Sequence, residues 1–310
     1  MPEESGVVIG IDIGGTKVAL MVRDLATGED LYRDRFATPQ PAPPDDVIAQ
    51  SWRRARELLE EDGRRAHEVR AMGVAVPGQV RDGHVIAAGN LGWTDVPLDD
   101  IVRRQVDVPV FVEHDANAGA IGEHWLGAAR DIREFVFLSV GTGVGAGVVL
   151  DGKIHRGAHL AAGEVGDMVC DRGAFRSADR GGANLGELIG ARKLHEIVES
   201  AVGEMSSLSE AVLASTRDER LRPFMDHLAD LLAIAVINIA AVLDPEAVVL
   251  GGGTAAAGEP LLREVRARIE SRLAAAPRLV LSALGEDAQL HGVIFGALET
   301  LKKRRAGEDS

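Results

Sequence analysis

Two segments of this 310-residue chain share a pattern that restricts its fold: a strand rich in β-branched residues runs through a glycine turn into a second strand. The first is VVIGIDIGGTKVALMV, and the second is FVFLSVGTGVGAGVVLDGKIHRG, which contains a hairpin signal at Asp151-Gly152. Helix and strand patterns alternate after each segment, as they do in α/β proteins. The sequence therefore predicts a duplicated α/β fold, with two similar halves and a cleft between them.

The predicted domain boundaries follow this repetition. A chain of 310 residues is long enough for two domains with separate cores. We place an N-terminal α/β domain at residues 1–118, completed by a C-terminal helix at about 290–310. A larger C-terminal α/β domain takes residues 119–289.

Several further elements are predicted from the periodicity of apolar residues. EDLYRDRF predicts a strand, and VRAMGVAVPG and VPVFVE are strands of the kind that parallel sheets bury on both faces. VIAQSWRRARELLEE predicts a helix with one apolar face, formed by Ile48, Trp52, Ala55 and Leu59. The run LLAIAVINIAAVL, residues 231–243, is shorter than the ~20 residues that span a bilayer, so we expect a buried helix.

Charge and cysteine content exclude several classes of protein. Acidic residues outnumber basic ones by 48 to 34, for a net charge of −14, whereas a nucleic-acid binder needs a basic face. The single cysteine, Cys170, cannot form an internal disulfide, and no signal peptide precedes the first strand. We therefore expect a cytoplasmic protein with neither a nucleic acid nor a membrane as partner.

Three glycine-rich turns follow predicted strands: DIGGTK (12–17), GTGVGAG (141–147) and GGGT (251–254). Each alone is consistent with a simple turn, but backbone N–H groups in such turns also form anion sites that a phosphate can approach closely. A strand follows the G-x-G of the middle turn, so a dinucleotide-binding fold is excluded, and no P-loop pattern is present. Asp12 in the first turn is suited to hold Mg²⁺ through water.

These motifs resemble those of a known family. GIDIGGTK, GVAVPGQV, NLGW, VEHDANAGAIGE, FLSVGTGVGAGVVLDGKIHRG, AAGEVG and AVVLGGG occur in the order and spacing of the ROK family, from about Val7 to Leu301. That family comprises sugar kinases and sugar-responsive repressors. The resemblance implies a two-domain, actin-like ATPase fold built from duplicated ribonuclease-H-like halves, with ATP in the interdomain cleft and a sugar beside it. We also expect a homodimer or a higher homo-oligomer.

The resemblance also implies roles for individual residues. Asp115 matches the catalytic base that accepts the proton of the attacking hydroxyl, although an aspartate at a helix start also serves as an N-cap, and the two roles can coexist. Asp12 matches the position that holds Mg²⁺ through water. The matches to the nucleotide-binding loops are Gly14, Gly15, Thr16, Lys17, Thr142, Gly143, Gly252 and Gly253. The expected sugar-binding residues are Asn90, His114, Asp115, Glu164, Asp167 and Glu187.

Some of these positions depart from the family pattern. His114 stands where the kinases carry asparagine, and Asp167 stands where they carry a histidine that contacts both sugar and zinc. The family's zinc-binding cysteine motif is absent, and the loop around Cys170 occupies its place. Glu187 is a candidate for the family's last sugar-binding glutamate. The nucleotide-binding residues are intact, so the resemblance implies retained ATP binding with an altered sugar preference.

We expect no structural zinc, because one thiol with carboxylates does not make a zinc site, although His159 or His195 could complete a ligand set. Instead, we expect Arg172, Arg176 and Arg180 to pair with nearby carboxylates, and the loop to become ordered when sugar binds.

The favoured function is an ATP-dependent hexose kinase, similar to a glucokinase. The alternatives are a sugar-binding regulator without a DNA-binding domain, since only six residues precede Val7, and a catalytically impaired relative that binds sugar or nucleotide.

Overall fold

The computed structural model describes residues 5–171, 175, 184–203, 205 and 207–307. They form two compact units. The first contains the described residues up to Trp125 together with those from Asp287 onward, and the second contains the described residues of Leu126–Glu286.

The strands and longer helices of both units follow in chain order. They are β1 (Val7–Ile13), β2 (Lys17–Asp24), β3 (Asp30–Ala37), α1 (Pro44–Glu61), β4 (Val69–Val76), β5 (Gln79–Arg81), β6 (His84–Ala88), β7 (Trp93–Pro97), α2 (Leu98–Gln105), β8 (Val110–His114), α3 (Asp115–Trp125), β9 (Phe135–Val140), β10 (Val144–Leu150), β11 (Lys153–Ile154), α4 (Leu185–Ile189), α5 (Ala191–Val202), α6 (Leu208–Ala214), α7 (Arg222–Leu243), β12 (Ala247–Gly251), α8 (Glu259–Glu270), β13 (Arg278–Leu281) and α9 (Ala288–Ala306).

Each unit contains a five-stranded sheet with the same topology. The first sheet has the order β3-β2-β1-β4-β8, and the second has the order β11-β10-β9-β12-β13. In each sheet, the first three strands in chain order pair antiparallel with one another. The two remaining strands run parallel to the first of these three. The predicted α/β duplication is therefore confirmed. The strands β5, β6 and β7 form a small separate sheet in the first unit.

The first sheet is covered by helices on both faces. The predicted face of α1 is confirmed, since Ile48, Trp52, Ala55 and Leu59 are all buried in one cluster with alternate residues of β1. Residues of α9 cover the other face, where Val8 packs.

The helices α3 and α9 pack against each other through glycine. A Cβ added to Gly292 of α9 would lie only 1.8 Å from the carbonyl oxygen of Ala118 in α3. One added to Gly122 of α3 would lie 2.2 Å from the carbonyl oxygen of Ala288. Because real Cβ atoms do not approach so closely, both positions require glycine. The close contact makes α3 and α9 parts of the same unit.

The long helix α7 forms much of the core of the second unit. The predicted apolar run, 231–243, is its second half, but burial is one-sided: Ile234 is 39% and Val242 is 81% exposed. The predicted helix therefore lies in the core, with the residues that face the sheet and neighbouring helices covered and the opposite side exposed. By length and composition alone, the stretch Glu219–Leu243 could also cross a membrane, a test that a core helix of a soluble protein passes too.

Candidate functional site

The turn between β1 and β2, with the strand residues that flank it, carries five of the expected nucleotide-site residues. Its geometry is fixed by a hydrogen bond of 2.9 Å from the backbone N–H of Gly14 to the carbonyl oxygen of Lys17. A Cβ on Gly14 would lie 3.0 Å from that same oxygen, so a small residue suits the position. The turn leaves Thr16 and Lys17 exposed, while Asp12 stays partly buried in β1.

The end of β3 holds this turn in place. The hydroxyl of Thr38 donates to the carbonyl oxygen of Gly14 at 2.6 Å. The backbone N–H of Thr38 donates to the carbonyl oxygen of Thr16 at 3.0 Å. The amide of Gln40 donates to the carbonyl oxygen of Gly15 at 3.1 Å. Thr38 is 4% exposed, and the sequence analysis did not single it out. A conformation fixed by such contacts needs no ordering when a ligand binds.

Asp12 has an unusual electrostatic environment. Burial and, to a lesser extent, the charge of Asp115 raise its pKa to about 7, against the opposing effects of Lys17 and Arg35. The register explains the arrangement, because Asp12 pairs with Ala19 and Ala19 pairs with Arg35 on neighbouring strands. These three side chains therefore share one face of the sheet, and the small alanine separates the two charged groups.

Asp115 begins α3 directly after β8 ends. Its Oδ1 accepts a hydrogen bond of 2.7 Å from the backbone N–H of Ala116, and the Nε2 atom of His114 lies 3.1 Å from the same oxygen. The side chain of Asp115 is 39% exposed, whereas that of His114 is 13% exposed. Because β1, β4 and β8 are parallel, Asp12 and Asp115 lie at the same edge of the sheet, where α/β proteins bind ligands.

A buried carboxylate fixes the junction between β8 and α3. Oε1 of Glu113 accepts hydrogen bonds from the backbone N–H of His114 at 2.9 Å and from the side-chain amide of Asn117 at 3.1 Å. Glu113 is 2% exposed. Sequence reasoning did not assign it a role, although a glutamate next to the expected base was visible.

Asn90 lies next to the β1–β2 turn. A Cβ added to Gly15 would lie 3.1 Å from the carbonyl oxygen of Asn90, so the two backbones are in contact. The Asn90 residue itself is exposed. Nearby, Trp93 is 4% exposed and its indole N–H donates to the carbonyl oxygen of Ala42 at 2.7 Å, so it is a core residue.

In the second unit, two glycine loops meet at the carboxyl ends of the parallel strands β9 and β12. Gly252 has φ +82°, and a Cβ there would lie 2.4 Å from the carbonyl oxygen of Val140. The backbone N–H of Ala191, at the start of α5, donates to the carbonyl oxygen of Gly141 at 3.0 Å. Thr142, Gly143 and Gly253 are exposed beside these contacts. The backbone geometry suits an anion.

Three expected sugar-site residues also lie in the second unit. Glu164 precedes a short 3₁₀ helix, Val165–Asp167, and is partly buried, while Asp167 is exposed. Gly166 and Gly186 are in contact, which brings Asp167 and Glu187 into neighbouring positions. The backbone bond from Leu185 N–H to the carbonyl oxygen of Met168, 2.9 Å long, joins the two segments.

Cys170 packs against the core of the second unit. Its Sγ lies 3.6 Å from the carbonyl oxygen of Met168, and burial raises the pKa of its thiol. The Nδ1 atom of His195 contacts the carbonyl oxygen of Ala191 at 2.7 Å. Within the described part of the chain, no group of three or more metal-binding side chains occurs. The expected partners Arg172, Arg176 and Arg180 lie outside the described residues.

The candidate residues thus form two sets, one in each unit. The set in the first unit is Asp12, Gly14, Gly15, Thr16, Lys17, Asn90, His114 and Asp115. The set in the second unit is Thr142, Gly143, Glu164, Asp167, Glu187, Gly252 and Gly253.

The sequence profile of the ROK family matches residues 8–299, which is nearly the whole chain. The chain belongs to the ROK family.

Relatives of this ROK protein include both enzymes and regulators. It is 33% identical over 327 residues to a glucokinase from Thermotoga maritima, with 97% of this chain and 98% of the glucokinase covered. It is 27% identical to a xylose repressor from Bacillus subtilis, with 94% of this chain and 77% of the repressor covered.

Solved structures confirm the two-domain α/β fold. A ROK family glucokinase from Streptomyces griseus, in complex with glucose and AMPPNP, superposes with a TM-score of 0.80 at 27% identity. The match covers 95% of this chain and 100% of that one. Relatives of this chain include both kinases and regulators, so the choice between these functions depends on the site.

Proposed function

We propose that this ROK protein transfers the γ-phosphoryl group of ATP to a hydroxyl of a hexose, as a glucokinase-like enzyme with Asp115 as general base. The observation that carries this proposal is the position of Asp115. An exposed carboxylate stands at the carboxyl edge of parallel strands, close enough to Asp12 for its charge to affect that residue. A binding protein without turnover has less need of both carboxylates.

Asp115 acts on the sugar hydroxyl. In the proposed reaction, the hydroxyl oxygen bonds to the γ-phosphorus, the bond from that phosphorus to the bridging oxygen breaks, and ADP leaves. The hydroxyl proton passes to the carboxylate of Asp115. The backbone N–H of Ala116 donates a hydrogen bond of 2.7 Å to Oδ1 of this carboxylate at the start of α3.

The phosphate groups have suitable partners in both units. In the first, the exposed Thr16 and Lys17 offer a hydroxyl and a positive charge on a turn that Thr38 holds rigid. In the second, the exposed backbone of Thr142 and Gly143 lies beside the N-terminus of α5, a twelve-residue helix. Gly252 and Gly253 are proposed to lie beside the nucleoside.

The residues present fit Mg²⁺. Asp12 is a hard oxygen ligand in a place where burial and a second carboxylate make its negative charge unfavourable, and a divalent cation removes that cost. Asp12 would hold the ion through water. When bound, Mg²⁺ would neutralise the charge of the phosphates.

The sugar is proposed to contact Asn90, Asp115, Glu164, Asp167 and Glu187, with His114 beside them. Asp167 only accepts hydrogen bonds when ionised, whereas the histidine that relatives carry there can also donate. We therefore propose a sugar preference that differs from that of zinc-containing glucokinases.

The test is ATP consumption by the purified protein with a panel of hexoses and N-acetylhexosamines, with Mg²⁺ present. Sugar-dependent formation of ADP is the expected result. The similarity to a xylose repressor supports a second candidate, a sugar-binding regulator. Saturable sugar binding without ADP formation from any sugar would favour that candidate and reject the kinase.

A further inference from the structure

We propose that His114 is a positioning residue for Asp115: its Nε2–H holds Oδ1 of the carboxylate, so that Oδ2 accepts the proton of the substrate. This inference rests on the proposed function, because it names how the general base is oriented.

The contacts of Asp115 are concentrated on one oxygen. Oδ1 receives the backbone N–H of Ala116 at 2.7 Å and lies 3.1 Å from Nε2 of His114. Among the described residues, Oδ2 accepts no hydrogen bond. Both contacts of the carboxylate, the backbone hydrogen bond and the close approach of the imidazole, are therefore on Oδ1, and its other oxygen is left for the substrate hydroxyl.

His114 is itself held by a rigid part of the fold. It is the last residue of β8, where it pairs with Val76 of β4. Its backbone N–H donates to Glu113, and Glu113 also binds Asn117 in the first turn of α3. The imidazole therefore projects from a junction that is fixed on both the strand side and the helix side.

The side chains of Asp115 and His114 differ in their exposure to solvent. The side chain of Asp115 is 39% exposed, whereas that of His114 is 13% exposed. The carboxylate therefore has three times the fractional access to solvent, which suits a direct contact with the substrate for Asp115 and a supporting role for His114.

The kinetic test compares His114→Ala, His114→Gln and the wild type with the sugar that gives the highest turnover. We expect His114→Ala to lower kcat roughly 10- to 100-fold, the usual effect of losing a group that orients a functional side chain, with sugar KM nearly unchanged. Glutamine keeps a neutral N–H donor at similar reach, so His114→Gln should recover most of the lost kcat. His67→Ala, which removes an exposed imidazole of the first unit, is the matched control and should leave kcat unchanged.

An increase in sugar KM alone would overturn the proposal, because it would show that His114 contacts the sugar directly. So would an unchanged kcat in His114→Ala.

A second measurement does not depend on turnover. The ¹⁵N signals of the imidazole nitrogens report which nitrogen carries the proton and whether it is hydrogen-bonded, and the His114 signal is assigned by its loss in His114→Gln. We expect the Nε2 signal of His114 to shift in Asp115→Asn while that of His67 stays in place. An unchanged Nε2 signal would overturn the proposal. If no sugar is phosphorylated, the proposed function fails, and this measurement still decides whether His114 holds Asp115.

Discussion

Two neighbouring carboxylates of the first unit have different surroundings. Asp12 sits within β1, where burial raises its pKa to about 7, whereas Asp115 is more exposed and accepts a backbone hydrogen bond. Such a difference suits the division of tasks proposed here, in which one group holds a cation and the other takes a proton. In this proposal the two aspartates take different roles because their environments differ, since the residue type is the same.

Replacing Asp115 by asparagine should lower turnover by roughly 10²–10⁴, the usual contribution of a general base. The change removes the proton acceptor but keeps the size of the side chain and an oxygen that can accept from Ala116, so folding and nucleotide binding should persist. Steady-state kinetics, circular dichroism and nucleotide titration measure the three quantities. Near-normal turnover would remove Asp115 from the mechanism, and loss of the folded state would show that helix capping is its main role.

The buried side chain of His291 should make the stability of the protein depend on pH. The side chain of His291 is 7% exposed, and its Nδ1 has no hydrogen-bond partner among the described residues. Burial lowers its pKa, Arg23 and Arg33 act in the same direction, and the carboxylates of Asp30 and Asp287 oppose the shift.

The unfolded chain then binds the proton at His291 more readily than the folded chain does. The protein should therefore lose stability as pH falls through the pKa of histidine in the unfolded state, about 6.5. Urea unfolding at pH 8 and at pH 5.5 should show that His291→Gln loses less stability on acidification than the wild type. His67→Gln, at an exposed position, should behave like the wild type. Equal losses in all three proteins would contradict the prediction.

At the scale of elements, the contact between α3 and α9 is the tightest helix packing around the candidate base. Asp115 begins α3, and Gly292 of α9 contacts the backbone of Ala118 one turn later. The position of this candidate base therefore depends on a helix that is far away in sequence.

A methyl group at Gly292 should separate the two helices. We expect Gly292→Ala to lower the free energy of unfolding by about 1–3 kcal/mol or more, since overpacking forces the backbone to move. Gly89→Ala is the control, because a Cβ at Gly89 meets nothing within 4 Å. Chemical denaturation measures both variants, and similar stability in both would show that the helices adjust at little cost.

At the scale of the whole molecule, the sequence predicted the two strand–turn–strand segments and the face of α1, because these depend on local periodicity. It did not reveal Thr38, whose partner Gly14 is 24 residues away, or the buried position of Glu113. It also did not predict which residues of α7 stay exposed, since that depends on the neighbours of the helix. Contacts between residues that are distant in sequence leave no pattern in the local sequence. Such contacts set the geometry of the candidate site.

Metal content is a property of the whole chain, and we expect no structural zinc. Such a site needs about four ligands, mostly cysteine and histidine, and the chain has one cysteine. The part of the Cys170 loop outside the described residues adds only Asp179 as a possible ligand. Elemental analysis of purified, tag-free protein tests this expectation. About one zinc per chain, removed by chelation together with activity, would refute it.

The position of α9 has a consequence for biosynthesis. This helix packs on β1 and α3, but it is translated after the second unit, which spans about 160 residues. At ~5–20 residues per second, roughly 10–30 s pass between the emergence of α3 and that of α9 from the ribosome. During this time the nascent first unit exposes the apolar face of Val8, Ala19 and Met21 that α9 later covers. The second unit is continuous in sequence, so it can finish folding first, and the part of the chain made earliest is completed last.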